Sequence, residues 1–230
     1  MKKFILILFF VLYSSISMAH ANHYNKYSKI EMEIFRNGKL IGFNHYFFTK
    51  KDEEMIITNE IKFSIKLLGT TVFNVEGYGE EKYIKNQLIS FNSKTLQNDK
   101  KKFVNLIFDK NKNKFYIKGS SYNGEASIDN VIGNWWNHGL LQTDSQISPL
   151  SGSVKKQVIN FIASEKIELY GKTYDVERYK LISKKRDLPE NKKLNFASLI
   201  CLDSLYWEIY QFDVLESRLK INRTFHFFSL

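Results

Sequence analysis

Side chains able to hold a metal or move a proton are scarce in this 230-residue chain, and their spacing decides most of what they can do. There are five histidines: His20, His23, His45, His138 and His226. His20 falls in an N-terminal segment expected to be removed, and no two of the other four have the close spacing of a local metal site. A single cysteine, Cys201, can build neither a thiolate site nor an intramolecular disulfide. Beside Leu199, Ile200 and Leu202 it is expected to be a small buried apolar residue. Glu80-Glu81 would suit acid–base work if both carboxylates faced one site. They lie in a strand-patterned stretch, where neighbours point to opposite faces, so they cannot share one. Asp129 and Asp144 read as surface groups or caps. No nucleophile elbow, phosphate-cradling glycine loop or His-Glu-x-x-His pattern occurs. No catalytic residue, metal ligand or cofactor is therefore nominated, and the chain is expected not to be an enzyme.

The candidate ligand-binding residues are Trp135, Trp136 and His138, in the run Asn134-Trp135-Trp136-Asn137-His138. Adjacent tryptophans in a segment without periodicity can line a pocket or sit at a membrane interface. They can equally form a plug that closes one end of a sheet.

The elements that would position these residues are strands. Ile30, Met32 and Ile34 alternate with Glu31 and Glu33, and Asn37-Gly38 signals a tight hairpin. A return strand over 40–49 follows, then a turn at Lys50-Lys51-Asp52-Glu53. Ile61, Phe63, Ile65 and Leu67 alternate with polar residues up to a break at Leu68-Gly69-Thr70. Strands over 72–84, 87–95, 103–109 and 114–118 are separated by Lys85-Asn86 and by Lys110-Asn111-Lys112-Asn113, giving seven consecutive antiparallel strands. Alternation stops from Gly119 to Gly152, where a short helix or ordered loop packed over the sheet is expected. It resumes over 154–161, 165–169 and 174–182, followed by a charged loop over 184–193. The fold class expected is all-β and mainly antiparallel: a curved sheet or open half-barrel meander with a short covering segment.

The first residues read as a secretory signal. Lys2-Lys3 precede an apolar run from Phe4 to Leu12, and Ala19-His20-Ala21 offers small residues where a signal peptidase needs them, so a cut after Ala21 is expected. The apolar run is shorter than the roughly 20 residues a membrane span needs. No cysteine follows it to take a lipid anchor. The remaining residues 22–230 fit one domain. The destination expected is the periplasm, which excludes nucleic acid as a partner. The formal net charge of +10 becomes +8 once Lys2 and Lys3 leave. The excess sits in clusters such as Lys100-Lys101-Lys102 and Lys184-Lys185-Arg186, which read as solvated turns or as a patch for anionic membrane surface.

The order of motifs resembles an uncharacterised family of exported proteobacterial proteins, a domain of unknown function. The resemblance is carried by Phe35-Arg36-Asn37-Gly38-Lys39-Leu40-Ile41-Gly42, by Ile61 to Gly69, by Glu80-Glu81 with Lys85 to Thr95, by Trp135-Trp136-Asn137 and by Arg178-Tyr179-Lys180-Leu181. It covers about residues 30–196 and implies a β-rich protein akin to the curved half-barrels of lipoprotein carriers. It implies no activity and no catalytic residues. Beyond Phe196 the texture changes, as a diverged tail or a shifted reading frame would produce.

From these readings the chain is expected to be a periplasmic binding or carrier module for an apolar or lipid-like ligand held against a concave sheet. The alternative is an envelope structural or interaction protein with a solid core. Nothing in the sequence sets an oligomeric state.

Overall fold

A computed structural model describes residues 28–36, 39–169, 172–185, 187–188 and 193–201, with the strand segments 207–212, 222–223 and 225–228. Side chains beyond residue 194, Asn37-Gly38 and the proposed signal lie outside the described residues.

The fold is all-β and mainly antiparallel, as the alternation predicts; only the short pair Val131–Ile132 and Ser145–Ile147 runs parallel among the described residues. Eight strands follow one another in a meander: β1 (Lys29–Arg36), β2 (Lys39–Lys51), β3 (Glu54–Leu67), β4 (Thr70–Ile84), β5 (Gln87–Gln97), β6 (Lys100–Asp109), β7 (Lys114–Gly119) and β8 (Asn123–Ser127). Two short strands, β9 (Val131–Ile132) and β10 (Ser145–Ile147), bracket a 3-10 turn at His138–Leu141. Then come β11 (Val154–Leu169), β12 (Lys172–Ser183), β13 (Asn195–Cys201), β14 (Trp207–Phe212), β15 (Asn222–Arg223) and β16 (Phe225–Phe228). One sheet runs β16-β1-β2-β3-β4-β5-β6-β7-β8, and the other, a curled half-barrel, runs β15-β14-β13-β12-β11-β10-β9.

Several strands differ from the sequence reading; β9 and β10 arise inside the stretch expected to be a short helix or ordered loop. β8 is an eighth meander strand, its Asn-Gly-Glu-Ala-Ser too poor in β-branched residues to announce itself. The two strands expected over 154–161 and 165–169 are one, continuous through an irregularity between Phe161 and Ala163. There an extra residue shifts the alternation and makes one strand read as two. The Arg36–Lys39 pairing gives the first hairpin its register. Cys201 ends β13 with its backbone opposite Val176, and its side chain lies outside the described residues.

The core is the inward face of the meander. Met32, Ile34, Ile57, Leu106, Phe115 and Ile117 are almost wholly buried there. Each contributes about 1.5–3 kcal/mol by leaving water. Gly42 lets β2 approach β3, because a Cβ at Gly42 would stand 2.4 Å from the Cβ of Phe63.

Candidate functional site

One strand organises the interior. β4 turns Val75, Gly77, Gly79, Glu81 and Tyr83 inward, and their surroundings divide the molecule into a filled end and a hollow end.

The filled end is built on Glu81, only 2 % exposed. Its carboxylate oxygens accept hydrogen bonds from Tyr83 Oη (2.6 Å), Asn134 Nδ2 (2.6 Å) and Trp136 Nε1 (2.8 Å). Trp136 stands edge-on to Phe48 and Tyr83, with ring centroids 5.7 and 6.0 Å away. Burial drives the Glu81 carboxyl above its ordinary value, against the opposing pull of those three donors. Burial raises Tyr83 as well, with the Glu81 charge adding to it. This cluster ties the covering segment to the sheet. Ser93 Oγ donates to the Pro149 carbonyl at 2.6 Å, and Trp135 N–H donates to Tyr46 Oη at 3.3 Å. On the other side Gln157, 2 % exposed, donates to the carbonyls of Leu140 and Thr143 and accepts from Gln146 Nε2.

The hollow end starts where β4 has no side chains. Above Gly77 and Gly79 lies a cavity of about 220 Å³, between the sheet and the segment 133–150. Ile61, Phe91, Trp135 and Leu150 give it apolar walls, while Asn44, Asn59, Ser93, Thr95, Gln146 and Ser148 bring amides and hydroxyls to its edge. Asn59 Nδ2 donates to Asn44 Oδ1 (2.6 Å), and Asn44 Nδ2 to Tyr46 Oη (3.1 Å), so the amides are held in a fixed chain. Lys155 also lines the cavity. Partial burial, and then the charge of Lys102, hold its ammonium below the usual lysine value. Neither lysine forms an ion pair with a carboxylate among the described residues, and Lys102 Nζ donates to Gln97 Oε1.

Of the residues nominated from sequence, Trp135 lines the cavity. Trp136 is fully buried beside Glu81 as a plug, and half-buried His138 opens the 3-10 turn; neither is among the lining residues. Glu80 and Glu81 do point to opposite faces. His45 lies on the outward face of β2, stacked on Phe43 at 4.4 Å. Among the described residues no group of three or more His, Cys, Asp or Glu side chains could hold a metal ion, and no helix is long and apolar enough to cross a membrane.

Sequence reading weighed Glu81 only as half of a carboxylate pair and Lys155 only as one of a charged pair, and it did not single out Gly77 and Gly79. A usable signal was present for two of them. Counting inward positions back from Tyr83 puts Glu81 inside, and two glycines on one strand face mark a close approach or an unfilled space.

No curated protein and no solved structure matches the chain. A family model matches residues 32–197, ending where the texture of the sequence changes. The chain belongs to the family described as domain of unknown function DUF6134.

Proposed function

We propose that the protein is an exported binding or carrier module for a small lipid-like amphiphile. Its apolar part lies over Gly77 and Gly79, and its anionic head sits beside Lys155. The observation that carries this reading is the cavity: two glycines leave space that a bonded segment roofs, and a larger, more open hollow adjoins it at Ile61, Gly77, Ser93 and Thr95. Its volume, about 220 Å³, falls below the roughly 300–1,000 Å³ of sites for drug-sized ligands. A short or single apolar chain suits it better than a two-chain lipid. The anionic head follows from Lys155 and Lys102, two neighbouring ammonium groups without carboxylate partners among the described residues, which an anion would relieve together. Export to the periplasm belongs to the same proposal and is supported by Lys2-Lys3, the apolar run and Ala19-His20-Ala21.

Native mass spectrometry of protein purified without detergent, followed by lipid extraction, tests it. A stoichiometric acidic amphiphile is expected, reduced in Gly79→Leu and in Lys155→Met. A ligand-free mass, together with no uptake of a fluorescent fatty acid, would discard the reading in favour of a solid-core envelope protein.

A further inference from the structure

We propose that the tip of the β3–β4 hairpin docks the protein onto an anionic lipid surface. β4 begins and ends in the same kind of turn, with positive φ at both central residues: Leu68 (50°) and Gly69 (81°) at its start, Lys85 (49°) and Asn86 (66°) at its end. Such turns favour Asn, Asp and Gly, because a Cβ is strained in the left-handed region and because the tip stands in water. Among the described residues the other non-glycine positions with positive φ are Asp52, Lys85, Asn86, Asn98 and Asn113, all polar, and Leu68 alone is a hydrocarbon. It is 97 % exposed, with Leu67 at 50 % and Val72 at 45 % beside it. A leucine placed there serves neither the turn nor the core.

The end of the hairpin also reaches past the pairing of the neighbouring strands. β2 pairs with β3 no further than Phe63, and β5 pairs with β4 no further than Val75. Asn74, opposite Ser64, still bonds Asn98, and Ile65 is buried; beyond them residues 66–72 are all exposed and pair only with each other among the described residues. Lys66 and Leu67 span ~7 Å at 3.3 Å each, within the roughly 5–10 Å to which interfacial segments bury, so Leu67 and Leu68 can reach the headgroup–acyl boundary.

Charge selects the occupant. The tips of the β1–β2 and β5–β6 hairpins lie at the same end of the sheet and present Lys39, Lys100 and Lys101, while Lys66 precedes the apolar tip. All four are exposed and none forms an ion pair among the described residues. At the opposite end carboxylates stand among the lysines: Lys82 meets Glu54, Lys85 meets Glu53, and Lys112 and Lys114 share Glu125, while Lys50, Lys51 and Lys110 form no ion pair among the described residues. An apolar tip among unneutralised ammonium groups is complementary to an interface of hydrocarbon beneath anionic headgroups. A second copy of the chain would bring the same positive ring against itself.

Flotation of the purified protein with phosphatidylcholine vesicles, and with vesicles in which about a third of the lipid is phosphatidylglycerol, tests this. Binding is expected on the anionic vesicles, weakened several-fold by salt. Leu68→Asn, a change the turn favours, is expected to lower it about tenfold without lowering the melting temperature. Lys100→Gln with Lys101→Gln should lower it several-fold on anionic vesicles only. The proposal is overturned if the native protein ignores anionic vesicles, if Leu68→Asn binds as well as the native protein, or if Leu68 instead drives a dimer on gel filtration. The assay needs no cavity ligand, so its failure would leave the binding-module reading standing.

Discussion

The two halves of β4 share a backbone and differ in everything else. Toward Ile84 the inward positions hold Glu81 and Tyr83, locked to a tryptophan, and the turn beyond is Lys85-Asn86 among paired charges. Toward Thr70 two inward positions, Gly79 and Gly77, leave a hollow before Val75 closes the core, and the same turn geometry carries Leu68 among unpaired lysines. A strand that needed only to fold would be served by either half. The contrast separates what the sheet requires, which is alternation and two tight turns, from what it does not, which is empty space and an exposed leucine.

The most severe way to break the contrast is to empty the filled half. Glu81→Leu strands three donors, on Tyr83, Asn134 and Trp136, and is expected to cost about 3 kcal/mol or more in chemical denaturation. Glu81→Gln keeps an acceptor for Asn134 and Trp136 and tests charge alone. The native carboxyl titrates above its ordinary 4.5, so the stability it adds is complete below that value and is lost as pH rises through the raised one. Melting temperature followed upward from pH 4.5 should therefore fall less with pH in Glu81→Gln than in the native protein. Equal slopes would remove Glu81 as the source.

The hollow half is sharpened by its two glycines. A Cβ at Gly79 would rest 3.5 Å from Phe91, an ordinary contact, whereas one at Gly77 would meet Thr95 Oγ1 at 2.9 Å and Ile61 at 3.1 Å. Gly79→Ala is expected to raise stability by about 0.5–1 kcal/mol while weakening ligand uptake, and Gly77→Ala to gain less or lose. A Gly79→Ala protein that binds the fluorescent fatty acid unchanged would move the ligand elsewhere. The smallest effect is at the tip, where Leu68→Asn should raise stability by a few tenths of a kcal/mol by relieving the left-handed leucine.

How much of this was legible in advance follows from the range of each interaction. The meander strands were legible because alternation and turn residues act within ten positions, and Lys85-Asn86 and Leu68-Gly69 turn where they were read. The role of Glu81 was not, because what makes a buried carboxylate tolerable arrives with Trp136, 55 residues later. Lys155 looks like one more lysine in a charged pair until β11 is laid against the cavity. Trp135 and Trp136 were singled out together, yet strict neighbours face different surroundings, one on the cavity wall and one on the carboxylate.

The first strand of the sheet has its outer partner in the last. Ile34 of β1 lies opposite Phe225 of β16, 191 positions further along the chain. While the polypeptide is being made, β1 can find β2 at once, but its other edge must wait for nearly the whole chain. A long-range closure of this kind is slow, because the intervening chain must be ordered before the contact forms. Until then an unpaired edge backed by Met32 and Ile34 is a template for pairing with other chains. Any change that removes β16 would leave that edge permanently open, so its loss should show first as aggregation during refolding rather than as a lower melting point.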